Sequence, residues 1–250
     1  MIDDHLPLLL LPGTLCDVRV FASIVPSNRP AIAADLTGAN DIATLADAVL
    51  AKAPERFIAM GFSLGGIVAL ELAARAPDRV AAMVLIGTTA RDVPAAGHAA
   101  RRAQAESATD PVALIDEALW PGYVHPDRIN DRALHEIVRA MARDCPPETF
   151  RRQTEIALSR IDSRSRLRGY TVPVLVLSGA DDIIAPPETQ AELAAGLPNA
   201  QIETIPGAGH FVPLEQPNVC ALAITRWLAA LSQDVPSHLS SANSGTLEVS

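Results

Sequence analysis

Residues 57–66 place a serine at a sharp turn between two predicted elements of regular structure. Apolar residues lead into Gly61, Ser63 stands at the centre of a Gly-x-Ser-x-Gly motif that ends at Gly65, and apolar residues with a helical period follow. A serine between a strand and a helix is held in a strained turn and exposed at the edge of a sheet. The free N–H groups at the start of the helix favour negative charge beside its oxygen. Such pentapeptides also occur by chance in glycine-rich turns, but this strand–turn–helix setting predicts that Ser63 is a nucleophile.

The rest of the chain alternates short apolar runs with helical patterns. Besides the strand that leads into Ser63, strands are predicted at 8–11, 31–35, 80–86, 172–177 and 200–205. Besides the helix that follows Ser63, helices are predicted at 17–25, 41–53, 147–160, 187–197 and 218–231. Repeated strand–helix order predicts an α/β fold with a mainly parallel sheet of about six strands, covered by helices on both faces. Ligands of such sheets bind beyond the carboxyl ends of the strands.

The alternation is interrupted between residues 91 and 145. This segment contains alanine- and arginine-rich helical patterns at 95–108, 112–118 and 131–144, and no predicted strand. We therefore predict a small helical cap at 91–145 inserted into a core domain formed by 1–90 and 146–233, with ordinary crossover helices as the alternative. The serine-rich residues 234–250 have few large apolar side chains and are predicted to be flexible.

Composition narrows the possible partners and compartments of the 250-residue chain. Its formal net charge of −9 argues against nucleic acid as a partner. The chain has three cysteines, Cys16, Cys145 and Cys220. An odd number does not fit a disulfide framework, and their positions fit no metal spacing, which predicts a reducing compartment. Asp3 and Asp4 stand where a signal peptide would be basic, and no apolar run approaches the roughly 18 residues of a membrane span. We expect a cytoplasmic protein without membrane, metal or cofactor; the composition leaves the oligomeric state open.

Three polar residues follow three predicted strands at the same edge of the sheet. Ser63 follows the third strand, Asp182 the fifth and His210 the sixth. A serine hydroxyl needs a base to become a nucleophile, and histidine suits this role because its pKa lies near neutral pH. A carboxylate then fixes the tautomer of the histidine and stabilises the imidazolium. The chain order serine, aspartate, histidine is the order that this type of fold uses.

Four motifs carry a resemblance to a known family. They are LPGTLCD at 11–17, GFSLGG at 61–66, GADD at 179–182 and GAGHFVPLEQP at 207–217. With these motifs the chain resembles the α/β-hydrolase family from about residue 8 to residue 231, and it looks most like the small-cap esterases, enol-lactonases and related carbon–carbon hydrolases and lyases.

The resemblance implies a role for individual residues. It implies Ser63 as nucleophile, Asp182 as acid and His210 as base, with an oxyanion hole formed by the backbone N–H groups of Leu64 and Thr14. The family often has histidine where this chain has Pro12. The oxyanion donors are backbone groups, so this departure leaves the predicted hole in place. The leading hairpin of many relatives is absent from the sequence, which agrees with about six strands.

Neighbouring residues offer alternatives for the acid and for the nucleophile. Asp181 and Asp182 are adjacent, and the spacing from Gly179 favours Asp182, with Asp181 expected to cap the following turn. Cys16 lies near Thr14 of the predicted oxyanion hole and is an alternative nucleophile. The sequence places no base for it, so we interpret Cys16 as a thiol that packs in the protein.

The predicted substrate contacts are apolar residues that could equally belong to the core. They are Leu15, Phe62, Trp120, Tyr123 and Phe211. The pair Arg101-Arg102 could bind a substrate carboxylate, although a solvated helix face is the simpler interpretation. His98, His125 and His135 lie in the predicted cap and are expected to be solvated.

These features predict a cofactor-independent serine hydrolase that cleaves a small carboxylic ester, lactone or thioester through an acyl-enzyme. A carbon–carbon hydrolase or lyase using the same triad is the alternative within catalysis. A non-catalytic ligand-binding protein on a hydrolase fold is the alternative outside it. A burst of leaving group from a chromogenic ester separates the first two, and failure to react with a fluorophosphonate would favour the third.

Overall fold

The structure is a computed structural model that describes residue 3 and residues 5–233, so the tail predicted at 234–250 lies outside the described residues. The described residues form six parallel strands in the order β2-β1-β3-β4-β5-β6. The strands are β1 (Leu8–Leu11), β2 (Ala31–Ala33), β3 (Phe57–Phe62), β4 (Val80–Ile86), β5 (Val174–Gly179) and β6 (Ala200–Ile205). The predicted α/β fold with a six-stranded parallel sheet is confirmed.

The helices of the described residues lie between and after these strands. They are α1 (Ile42–Lys52), α2 (Leu64–Arg75), α3 (His98–Ser107), α4 (Pro111–Leu114), α5 (Trp120–Tyr123), α6 (Arg132–Arg143), α7 (Pro147–Ser159), α8 (Pro187–Gly196), α9 (Val212–Glu215) and α10 (Pro217–Gln233). The helix predicted at 17–25 is only a 3-10 turn over Val18–Phe21. The Asp17 carboxylate starts this turn by accepting from the N–H of Arg19, and the turn ends at Phe21, well before Pro26.

Alternate residues of each central strand face opposite sides of the sheet. In β1, Leu8 and Leu10 join one apolar cluster, and Leu9 and Leu11 join the other. The first cluster includes side chains of α10 and of the segment between β4 and β5, while the second includes side chains of α1, α2 and α8. Helices therefore cover both faces, which is why these strands read as continuous apolar runs.

The carboxyl ends of the strands bring distant loops to one edge of the sheet. All pairings are parallel, so the loops after β1, β3, β5 and β6 meet there, and they carry Thr14, Ser63, Asp182 and His210. Between β4 and β5 the chain forms helices α3 to α7 without a strand. No helix within residue 3 and residues 5–233 is long and apolar enough to cross a membrane.

Candidate active site

Ser63 lies in a strained turn between β3 and α2. Its φ of 51° and ψ of −113° are values that a residue with a side chain rarely adopts. Close backbone packing holds the turn: a Cβ on Gly61 would lie 2.4 Å from the carbonyl oxygen of Gly65, and one on Gly65 would lie 1.8 Å from that of Leu11. The hydroxyl of Thr88 donates to the Ser63 carbonyl at 2.8 Å. The predicted sharp turn therefore depends on glycines at 61 and 65, which no larger residue can replace.

His210 lies between Ser63 and Asp182. Its Nε2 is 3.0 Å from the Ser63 hydroxyl oxygen, and its Nδ1 is 2.8 Å from a carboxylate oxygen of Asp182. The side chains of His210 and Asp182 are 3% and 0% exposed. In this arrangement Nδ1–H donates to the carboxylate and Nε2 is free to accept the serine proton. The structure therefore brings together the three residues that the sequence predicted to act together.

The two adjacent aspartates have different surroundings. The second carboxylate oxygen of Asp182 accepts from the N–H groups of Ile184 and Ala185 at 2.8 and 2.9 Å. The Asp181 side chain is 45% exposed and lies 3.5 Å from His125 Nε2. The expectation that Asp181 caps the turn is wrong. The turn N–H groups of Ile184 and Ala185 are bound by Asp182 instead. The chain turns at 180–181, where the N–H of Asp182 donates to the Gly179 carbonyl at 3.4 Å.

The loop that carries His210 is fastened to the segment 123–125. The Tyr123 carbonyl accepts from the N–H groups of His210 and Phe211 at 2.8 and 3.2 Å. A Cβ on Gly209 would lie 2.6 Å from the Val124 carbonyl carbon, so only glycine fits there. The predicted cap therefore contacts the backbone of the histidine loop directly.

Glu215 strengthens this junction, and sequence reasoning assigned it no role. One carboxylate oxygen accepts from the Gly209 N–H at 3.0 Å, and the other accepts from the His125 N–H at 2.7 Å. The residue is 2% exposed, and its burial raises the pKa of the carboxyl group. The sequence contains one signal for this role, because Glu215 is an acidic residue within the mostly apolar stretch that follows His210.

The two residues predicted to form an oxyanion hole, Leu64 and Thr14, both lie beside Ser63. Leu64 opens α2, and the first N–H groups of a helix have no acceptor within it. The neighbouring N–H of Leu15 donates to the Gln153 side chain at 3.0 Å. The N–H of Thr14 has no acceptor among the described residues. Thr14 and Leu64 line the same space as Ser63 and His210, as the predicted oxyanion hole requires.

Two adjoining spaces surround these groups. The nucleophile cavity has a volume of about 140 Å³ and is lined by Ser63, His210, Thr14, Leu64, Ile67, Gly87, Thr88, Thr89, Arg101, Tyr123, Ala157, Arg160, Ile184 and Ala185. The side cavity has a volume of about 120 Å³ and is lined by Leu15, Cys16, Gln104, Ile115, Leu119, Val138, Phe150, Gln153, Thr154 and Phe211, together with Thr14, Arg101, Tyr123 and Ala157. The last four residues line both spaces, so the two cavities adjoin.

The predicted substrate contacts divide into two groups. Leu15, Tyr123 and Phe211 line the cavities, whereas Phe62 and Trp120 line neither. Phe62 is 1% exposed and supports the His210 ring from 5.2 Å between centroids. Trp120 is buried, stacks on His135 and donates its indole N–H to the Ile129 carbonyl at 2.9 Å. These two side chains pack within the protein interior.

Tyr123 and Cys16 bring weakly acidic side chains to the cavities. Burial raises the pKa of the Tyr123 hydroxyl to about 12, so it stays a neutral donor. No described residue hydrogen-bonds to this hydroxyl. Burial also raises the pKa of the Cys16 thiol well above its ordinary value, which agrees with a packing thiol.

The two adjacent arginines of α3 have different surroundings. Arg102 binds the Glu155 carboxylate through two nitrogens at 2.7 and 2.8 Å on the outer surface. Arg101 lines both cavities instead. The histidines predicted to be solvated, His98, His125 and His135, are half-buried, and none lines either cavity.

Comparison with known proteins gives one family for most of the chain. The model described as the alpha/beta hydrolase family matches residues 5–223. A pimeloyl-[acyl-carrier protein] methyl ester esterase of Aromatoleum aromaticum is 30% identical over 191 residues, which is 71% of this chain and 76% of that protein. An esterase of the same name from Neisseria meningitidis is 32% identical over 220 residues, or 80% of this chain and 70% of that protein.

Solved structures agree with the sequence relatives. A thermophilic esterase from Thermogutta terrifontis has a TM-score of 0.84 and 29% identity, covering 91% of this chain and 90% of that chain. The enol-lactonase from Burkholderia xenovorans LB400 has a TM-score of 0.79 and 23% identity, covering 91% of this chain and 92% of that chain, and it supports the fold alone.

Proposed function

The chain belongs to the α/β-hydrolase family and is an enzyme of hydrolase type, and from that premise we propose that it is a serine hydrolase that cleaves a carboxylic ester through an acyl-enzyme. The observation that carries the proposal is the line of contacts from Ser63 through His210 to Asp182, at 3.0 and 2.8 Å. The first of these residues lies in a strained turn and lines a cavity.

The proposed reaction begins with attack by the Ser63 hydroxyl oxygen on the substrate carbonyl carbon. His210 Nε2 takes the hydroxyl proton as the bond forms, and the Asp182 carboxylate stabilises the resulting imidazolium. The negative charge on the former carbonyl oxygen is held by the N–H groups of Leu64 and Thr14. The imidazolium then gives its proton to the departing alkoxide, which leaves an acyl group on Ser63.

Water completes the proposed cycle by the same route. His210 takes a proton from a water molecule that attacks the acyl carbon, and returns it to the Ser63 oxygen as the acid departs. Every proton transfer uses Nε2, so His210 serves first as base, then as acid, in each half of the reaction. The buried Asp182, bound by two turn N–H groups, keeps its orientation throughout.

We place simple esters, methyl esters among them, before lactones and thioesters as substrates. The sequence relatives are named as methyl ester esterases. The side cavity, which adjoins the cavity lined by Ser63, offers apolar side chains such as Leu119 and Phe211 to an acyl group. We further propose that 91–145 forms a cap, because it supplies Arg101 and Tyr123 to the cavities. The free thiols of Cys16, Cys145 and Cys220 support a cytoplasmic location.

Steady-state and burst kinetics on 4-nitrophenyl and methyl esters of graded acyl length test the proposal. We expect a burst of nitrophenol equal to the enzyme concentration wherever deacylation limits turnover, and a fall in kcat of about 10⁴-fold or more in the folded Ser63→Ala variant. The matched control is Ser107→Ala on exposed α3, which we expect to retain the wild-type rate. A folded Ser63→Ala variant with most of the activity would remove Ser63 from the mechanism.

A further inference from the structure

Arg101 is an exposed residue of the proposed active site that has no acidic partner in the described part of the chain. It lines both cavities, and it makes no ion pair or hydrogen bond with any described residue. Its neighbour Arg102 has a two-point ion pair with Glu155. Arg101 is exposed, and unlike Arg102 it is left available to a ligand that enters the cavities.

A second guanidinium lines the nucleophile cavity. Arg160 follows α7 and is held by the carbonyl groups of Arg91 at 2.8 Å and Asp92 at 3.5 Å. Its burial, and then the positive charge of Arg101, lower the pKa of Arg160 to about 10. Arg160 is therefore still charged at neutral pH, and it lies close enough to Arg101 for the two cations to repel each other.

The walls of both cavities contain no acidic side chain from the described part of the chain. The nearest catalytic carboxylate, Asp182, is 0% exposed and bound to His210. A chain of net charge −9 thus has two cations, Arg101 and Arg160, in the wall of the cavity that Ser63 lines. Like charges held together cost free energy, which the negative charge of Asp92 offsets only in part at Arg160. An anionic ligand between the two arginines would lower that cost further.

We propose that Arg101 and Arg160 recognise a carboxylate on the substrate, so that the enzyme prefers esters that also carry a free carboxylate, such as monoesters of short dicarboxylic acids. The inference rests on the proposed function of Ser63, because it names the substrate class of that site. A planar guanidinium binds a carboxylate through two parallel hydrogen bonds. The neutral hydroxyl of Tyr123, which lines the same spaces, adds a further donor for that group.

Kinetic discrimination between two matched substrates tests the inference. The pair is mono-4-nitrophenyl glutarate and 4-nitrophenyl pentanoate, which differ by a carboxylate in place of the terminal methyl group. We expect the ratio of their kcat/KM values to favour the glutarate, and to fall about 10- to 100-fold in Arg101→Gln and in Arg160→Gln, since a hydrogen-bonded charge is lost. Arg102→Gln is the matched control and should keep the wild-type ratio. An equal ratio in wild type and Arg101→Gln would overturn the inference.

A binding measurement separates this inference from the proposed catalytic role. Glutarate binding is measured by calorimetry on Ser63→Ala and on Ser63→Ala combined with Arg101→Gln. We expect the second protein to bind at least about tenfold more weakly, whatever the role of Ser63. Equal affinities would overturn the carboxylate site while leaving the serine mechanism intact. Tighter binding of inorganic phosphate than of glutarate by Ser63→Ala would also overturn it, by assigning the arginines to a phosphate.

Discussion

Replacing Glu215 by glutamine should weaken the junction between the His210 loop and segment 123–125. The carboxylate now accepts one hydrogen bond from the Gly209 N–H and one from the His125 N–H, with a different oxygen for each. Glutamine has nearly the same shape but offers only one acceptor oxygen, and its NH₂ group is a donor. One of the two backbone N–H groups must therefore lose its acceptor and face another donor.

The size of the effect follows from the burial of this contact. Glu215 is 2% exposed, so water cannot replace the lost acceptor. An unsatisfied buried donor costs about 1–3 kcal/mol. For a domain of this size 1 kcal/mol lowers Tm by about 2–4 °C, so a central cost of about 2 kcal/mol predicts a fall of about 4–8 °C. Since Gly209 precedes His210, we also expect kcat to fall about tenfold through misplacement of the imidazole.

Calorimetric melting and ester hydrolysis on the same preparations give both values. The matched control is Glu203→Gln, because the ion pair of Glu203 with Arg226 lies on the surface and a surface ion pair contributes about 0–1 kcal/mol. A Tm of Glu215→Gln within about 1 °C of wild type would refute the reasoning about unsatisfied donors. A normal kcat despite a lowered Tm would show that the junction supports the fold but not the position of His210.

Two further predictions concern residues whose neighbours serve as controls. Asp182→Asn should lower kcat about 10⁴-fold, because it removes the carboxylate that accepts from the Nδ1–H of His210. Asp181→Asn should change kcat less than about threefold, because that side chain is exposed. Steady-state kinetics on both variants tests this ranking, and a reversed ranking would make Asp181 the acid. Tyr123→Ala should shift the relative kcat/KM among acyl groups about tenfold, since the ring lines both cavities. Trp120→Ala should instead lower the free energy of unfolding by about 3–5 kcal/mol, measured by denaturant melting, without changing the order of substrate preference. A changed order would show that Trp120 contacts the substrate.

The sequence predicted that Ser63, Asp182 and His210 lie together, because topology determines where these residues are placed. Parallel strands end at one edge, so polar residues directly after β3, β5 and β6 must meet there whatever the details of the loops. The choice of Asp182 over Asp181 also agrees with the structure, since only Asp182 contacts His210. Strand positions were predictable because central strands are apolar on both faces.

Contacts between distant residues could not be predicted from local patterns. The bond from His125 to Glu215 joins residues 90 positions apart, and that from Leu15 to Gln153 joins residues 138 positions apart. Nothing in the spacing of either pair indicates the contact. The same limit applies to apolar residues: Trp120 and Tyr123 look alike in the sequence, yet one packs on His135 and the other lines the cavities.

The predicted cap also carries more of the site than its pattern indicated. The sequence predicted two substrate contacts in this segment, Trp120 and Tyr123, and placed the predicted catalytic residues outside it. The Tyr123 carbonyl, however, binds the backbone N–H of His210 at 2.8 Å, so this segment positions the proposed base. A helical block reveals its periodicity in the sequence, but not which of its carbonyl groups are turned toward a loop elsewhere.

Reaction with a fluorophosphonate, followed by peptide mapping in a mass spectrometer, tests the role of Ser63 most directly. The reagent forms a stable bond only with a serine activated by its own base and oxyanion donors. We predict one phosphonyl group per wild-type chain, located on Ser63, and no stoichiometric labelling of Ser63→Ala. An adduct on another residue, or equal labelling of wild type and variant, would contradict the proposed mechanism.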